Sequence, residues 1–274
     1  MSSDSLRPPP KNSQAASMLR AAKVKTFNGA KYAVERYQLQ ALAMMHGRHD
    51  FSGRRVLECG GSNLPRALTL GCLKASQWTS VDYLPTHYDH AKSRVHYMAE
   101  TILQLNDDSR PVGDLDFVIF NGRVEDLPES FHKCFDICVS ICAFEHFSRP
   151  ELVLAKMKNC LAEGGELHAY FGPIWSCADG HHCWVTPQLN FIVRSHIPDF
   201  AHLLLSPGEL AERLSPHYDS ETVAEALRQI YESDRVNRLF FEDYVRLFQT
   251  AGFSRCEIWF IRLKHTWLDE WLRF

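Results

Sequence analysis

The sequence predicts an α/β protein: a mostly parallel sheet with helices on both faces. Three observations predict it. Short apolar strands alternate with helical runs between Arg54 and Pro173, the order that right-handed βαβ crossovers produce. The strands read as apolar runs, as in sheets covered on both sides. At 274 residues the chain is long enough to bury a sizeable core.

Residues 1–14 are rich in Ser and Pro and are expected to form a disordered tail. Residues 15–53 read as a helical cap, with Tyr37, Leu39, Leu42 and Met45 among its apolar positions. Residues 54–173 form the expected core. Val56–Glu58 is its first strand, followed by a glycine turn and a helix through Leu73. Trp78–Asp82 is the second strand, and Tyr88, Ala91, Val95, Met98 and Ile102 then recur at helical spacing. Asp116–Phe120 and Phe135–Cys142 give the third and fourth strands. Ser148-Arg-Pro-Glu151 has the form of a capping box opening a helix, whose inner face carries Val153, Leu154, Met157, Cys160 and Leu161. Gly164 and Gly165 should end it, and Glu166–Phe171 is the fifth strand.

Residues 174–236 break the rhythm with aromatics, histidines and prolines. They read as a mainly helical insertion after the fifth strand, with a second capping box at Ser206–Glu209 and a helical run through Val223, Leu227 and Ile230. Open α/β sheets bind ligands at the carboxyl ends of their strands, where this segment begins. Residues 237–274 are expected to complete the core with a helix carrying Phe241, Tyr244, Phe248 and Ala251, stopped by Gly252, and a strand over about 253–263. No internal repeat is visible.

The formal charge is −3, which disfavours a nucleic-acid partner, since phosphate contacts call for a basic excess. No apolar stretch approaches the ~20 residues that cross a bilayer. Nine scattered cysteines, an odd number, suggest reduced thiols and a cytoplasmic protein. Residues 5–34 hold six Lys/Arg and no acid, which suits either an organelle transit peptide or an exposed basic entry helix.

The turn after the first strand reads VLECGGSNLP, residues 56–65. It lacks the G-x-G-x-x-G that seats a pyrophosphate at a helix N-terminus. It offers instead an acid at the strand tip, Glu58, and small residues at Gly60, Gly61 and Ser62 that let a ligand approach the backbone. Tight packing alone would also explain such a turn. Asp82, in SVDYLP, ends the second strand, where a carboxylate can accept two hydroxyls or cap a helix. NGRVEDLP follows the third strand, and FDICVSICAFEH forms and leaves the fourth.

In order and spacing, VLECGGS, SVDYLP, GRVEDLP and FDICVSICAFEH followed by LAEGGEL resemble the class I S-adenosylmethionine-dependent methyltransferases, notably a small-molecule and sugar methyltransferase group. The resemblance covers about Arg54 to Pro173. It implies a Rossmann-like sheet of seven strands, the last antiparallel, with S-adenosyl-L-methionine across the ends of strands one, two and four. It places the methionine end of that cofactor at Glu58, Gly60, Gly61 and Ser62, the ribose at Asp82 and the adenine along Tyr83, between Val124 and Glu125. Ser140 and Ile141 would border the sulfonium, and Glu145 and His146 match the step into the next helix. Three departures stand out: Ser62 replaces a glycine, Arg123 stands where relatives place an acid, and only eleven residues follow Leu263.

Methyl transfer from a sulfonium needs alignment, exclusion of water and, for a hydroxyl acceptor, a proton acceptor. FGPIWSCADGHHCW, directly after the fifth strand, supplies His181 and His182 as candidates for the base. Trp175 and His202 are candidates for binding a small-molecule substrate. A structural histidine pair would read the same way. Cys177, His181, His182 and Cys183 are competent zinc ligands, but their spacing matches no standard zinc site, so no metal is assigned. The sequence thus points to a small-molecule O-methyltransferase. A silent cofactor-binding subunit and a nicotinamide-dependent oxidoreductase are the alternatives.

Overall fold

The computed structural model describes residues 36–46, 49–60, 64–83, 102–105, 114–193 and 196–258. The tail, most of the helical cap, the helix expected over residues 88–98 and the turn residues Gly61 and Ser62 lie outside the described residues.

Helix α1 (Arg36–His46) precedes β1 (Arg55–Cys59), the four-residue α2 (Arg66–Thr69) and β2 (Gln77–Asp82). Next come β3 (Ile102–Gln104), β4 (Phe117–Asn121), β5 (Phe135–Ile141), α3 (Pro150–Cys160) and β6 (Leu161–Tyr170). Beyond the sheet lie α4 (Ala201–Leu204), α5 (Pro207–Leu214), α6 (Ser220–Leu227) and α7 (Phe241–Thr250). The sheet order is β3-β4-β2-β1-β5-β6, and every pairing is parallel.

Strand alternation builds two cores from one sheet. Val56, Trp78, Ile119, Ile137 and Val139 face Ala41, Leu42 and Met45 of α1 and Leu68 of α2. Leu57, Val81, Val118, Phe120 and Cys138 face Val153, Leu154 and Met157 of α3. A third cluster joins Cys183, Leu189 and Ile197 to Leu210, Leu214, Val223 and Ile230. The capping box at Ser206 forms: its hydroxyl accepts from Glu209 N–H while the Glu209 carboxylate accepts from Ser206 N–H at 2.8 Å. All nine cysteines are free thiols. No described helix is long and apolar enough to cross a membrane.

Three sequence expectations are corrected. The described residues hold six strands, not seven, and none is antiparallel. Residues 253–258 form no strand; 259–263 lie outside the described residues. The chain leaving α7 is held to α3, where the Lys158 ammonium donates to the carbonyls of Ala251 and Gly252 at 2.9 and 2.7 Å. Second, Ile102 opens an edge strand, paired with Ile119, and does not close a helix. Third, Ser148 caps nothing. The helix begins at Pro150 after Arg149, with no side-chain cap; proline at the first position removes a donor that would otherwise need one.

Candidate active site

Parallel pairing sets Glu58 beside Ser80 and Val139, and Asp82 beside Asn121, so the carboxyl ends of β1, β2, β4 and β5 lie side by side, where open α/β sheets bind ligands. Glu58 is buried. Its Oε2 accepts from Trp78 Nε1 and Ser80 Oγ, both at 2.8 Å, and from Leu64 N–H at 3.2 Å. Its Oε1 is buried without a partner. Burial pushes the carboxyl up to about 7, against the lowering pull of the Trp78 and Ser80 hydrogen bonds. Such an oxygen is matched to a cationic donor, and an ammonium is one.

Gly60 has φ +77°, and a Cβ there would lie 2.6 Å from the Cβ of Ala143. Glycine is therefore required here, by the left-handed backbone and by the close packing of Ala143 and Phe147. The Gly60 N–H donates to the Val81 carbonyl at 2.9 Å, and the Ser140 hydroxyl donates to the Cys59 carbonyl at 2.9 Å. Asp82 is buried at the tip of β2. Tyr83, next to it, is 39% exposed, and the Arg123 guanidinium lies 5.0 Å from its ring centre. Val124 and Glu125 are buried in a short turn after β4, while Ile141 is buried within the first core. These residues fit a ligand with an ammonium at one end, hydroxyls in the middle and a flat ring at the other.

The remaining candidates follow β5 and β6. Glu145 is buried; its Oε1 accepts from Gly172 N–H at 3.0 Å, and its Oε2 has no partner. Burial raises its pKa, against the attraction of His146. Asn237 braces this turn by donating to the carbonyls of Phe144 and Phe147 at 2.6 and 3.1 Å, while the Tyr244 hydroxyl donates to Asn237 Oδ1 at 2.8 Å. No local pattern marks Asn237, more than ninety residues along the chain from Phe144.

Backbone contacts fix the histidine tautomers, since a carbonyl only accepts. His182 Nε2 donates to the Pro173 carbonyl at 2.6 Å, so Nδ1 carries the lone pair. The ring stacks on Phe191 at 4.9 Å and meets His146 edge-on at 4.9 Å. Burial lowers its pKa to about 4, with the His146 charge adding to the effect. His202 Nε2 donates to the Trp175 carbonyl at 2.7 Å, and its Nδ1 is buried without a partner. Its ring lies 4.4 Å from that of Trp175 and 5.5 Å from His181. His181 Nδ1 accepts from Cys183 N–H at 3.1 Å, which leaves the proton on Nε2 in the neutral ring. Cys142 and His182 both hold positive φ, 51° and 47°, sparsely populated for such residues and concentrated at functional sites.

The family model described as "Methyltransferase domain" matches residues 57–169. No curated protein matches the chain. Among solved structures, the chain resembles an arsenic(III) S-adenosylmethionine methyltransferase from Chlamydomonas reinhardtii, at 21% identity and TM-score 0.40, over 91% of this chain and 64% of that one. It also resembles the 1,6-didemethyltoxoflavin-N1-methyltransferase of Burkholderia thailandensis, solved with 1,6-didemethyltoxoflavin and S-adenosylhomocysteine, at 16% identity and TM-score 0.33, over 60% and 66%. A third is an S-adenosylmethionine-dependent methyltransferase from Mesorhizobium loti, at 15% and 0.31, over 49% and 50%. The chain thus spans less than two thirds of each of these structures.

Proposed function

We propose that this chain, whose residues 57–169 match a methyltransferase domain, is a class I S-adenosylmethionine-dependent methyltransferase that methylates a hydroxyl oxygen of a small molecule. The cofactor supplies a methyl group already activated on a sulfonium. The chain's part is to hold, orient and dry the reactants. Glu58 binds the ammonium through its unpartnered Oε1, at the turn that begins with Gly60; Gly61 and Ser62, the other residues proposed for the methionine end, lie outside the described residues. Asp82 accepts from the ribose hydroxyls. Tyr83, Val124 and Glu125 line the adenine, and Ser140 and Ile141 close the crevice at the sulfonium.

On the acceptor side, His182 is the proposed proton acceptor and Trp175 and His202 the proposed substrate wall. The observation that carries this reading is the tautomer of His182: its Nε2 proton is committed to Pro173, which leaves a lone pair on Nδ1. A pKa of about 4 keeps the ring neutral at physiological pH, so it is always ready to accept. The same shift makes it a weak base. Its contribution is therefore mainly to hydrogen-bond and orient the hydroxyl. His181, whose Nδ1 accepts from Cys183 N–H, is proposed to help position the acceptor.

The test is methyl transfer to a panel of hydroxylated metabolites by wild type and His182→Ala. The expected result is a turnover loss of about 10²-fold with S-adenosylhomocysteine affinity unchanged. Undiminished turnover in a folded His182→Ala variant would return the histidine to scaffolding.

A further inference from the structure

A second cluster of chemistry-bearing side chains shares no residue with the candidate active site. His49, Glu166 and His168 bring two imidazole nitrogens and a carboxylate oxygen within 4.8 Å of one another. Glu166 and His168 sit two residues apart on β6, so their side chains leave the same face of the strand. His49 follows α1, where its N–H donates to the Met45 carbonyl at 3.1 Å. Both rings converge on one oxygen: Glu166 Oε2 is 2.5 Å from His49 Nδ1 and 3.3 Å from His168 Nε2. The two rings are 4.8 Å apart.

We propose that His49, Glu166 and His168 form a site for a divalent first-row transition ion, with zinc as its natural occupant. Two imidazoles and one carboxylate suit zinc and its neighbours, whereas magnesium and calcium take oxygen donors. Bonds of about 2.0–2.1 Å in a tetrahedral shell put donor atoms ~3.3 Å apart. The His168–Glu166 separation, 3.3 Å, already has that value. The His49–Glu166 separation, 2.5 Å, must open by less than ~1 Å, which a side chain 40% exposed accommodates without moving the core. Water fills the remaining position, because the Glu166 side chain is 41% exposed.

The proposal stands on these side chains alone and does not rest on the methyl-transfer reading. Glu166 and His168 pair with Ile137 and Val139, and Val139 pairs in turn with Glu58, so His168 stands two strand spacings, ~10 Å, from that residue. A bound ion would tie the turn after α1 to β6, the last strand of the described sheet.

The test is zinc titrated calorimetrically into chelator-stripped full-length protein, in parallel with Glu166→Gln and His168→Ala. Wild type should bind one equivalent that each substitution weakens tenfold or more, the far-ultraviolet spectrum showing that the variants fold. Cobalt in the wild type should give visible ligand-field bands without thiolate charge-transfer bands. No binding, equal binding by wild type and both variants, or thiolate bands from ligation by Cys177 and Cys183 would overturn the site. Should either variant fail to fold, the wild-type titration and cobalt spectrum decide alone.

Discussion

The two walls of the proposed crevice are built by different means. The wall at β1, β2 and β4 is dictated by topology: parallel pairing aligns Glu58, Asp82 and Asn121 at strand tips, and a glycine at φ +77° keeps the first turn low. Its acid is buried yet keeps one oxygen unpartnered. The wall after β6 is dictated by a web of side-chain-to-backbone hydrogen bonds. Its histidines are each tied to a nearby backbone group, and Asn237 reaches back to brace Glu145's turn. A site set by topology tolerates varied side chains around a fixed ligand. A site set by local hydrogen bonds is remade by a few substitutions, which is how one fold serves many acceptors.

The largest effect expected from this contrast is on the topological wall. Gly60→Ala combines a left-handed backbone with a Cβ 2.6 Å from Ala143, and should cost about 2–4 kcal/mol of stability in chemical denaturation. A loss below a few tenths would mean that the turn relaxes freely and does not hold the crevice open.

The next effect, on the order of 3 kcal/mol for each wall, separates them by pH. Glu58 is raised to about 7, so its contribution to stability is full below its unfolded value of 4.5 and is lost as pH rises through about 7. His182 is lowered to about 4 from 6.5, so its contribution is full above 6.5 and is lost as pH falls towards 4. Between pH 4.5 and 6.5 the two slopes oppose. Glu58→Gln should therefore make the urea midpoint climb more steeply with pH than in wild type, and His182→Gln should make it climb less. Slopes identical in both variants would show that the walls do not differ in this way.

The topological wall was also the legible one. Glu58 and Asp82 close apolar runs that form strands β1 and β2, as their pattern predicts, whereas the order of the strands in the sheet came only with the fold. What sequence could not give were contacts made across the sheet, such as Trp78 and Ser80 on Glu58, or His49 on Glu166. Edge strand β3 was missed because three residues are too few to display alternation, and Ile102 continues a helical spacing. Of the strand expected after Gly252, residues 253–258 are described and form none; just before them Lys158 holds the chain leaving α7, a tertiary contact with no local signal. Among the histidines, residue type and position were readable, but which nitrogen keeps its lone pair depends on carbonyls that only the folded chain supplies.

The central claim is that two neighbouring strand tips hold a nucleoside joined to an amino acid, without any phosphate seat. Calorimetric binding of S-adenosylhomocysteine to wild type and to Asp82→Ala tests it most directly. Saturable binding by wild type, weakened by ~1.5–3 kcal/mol in a folded variant, is the predicted result. Equal affinity in the two proteins, or displacement of the ligand by NADH, would contradict it.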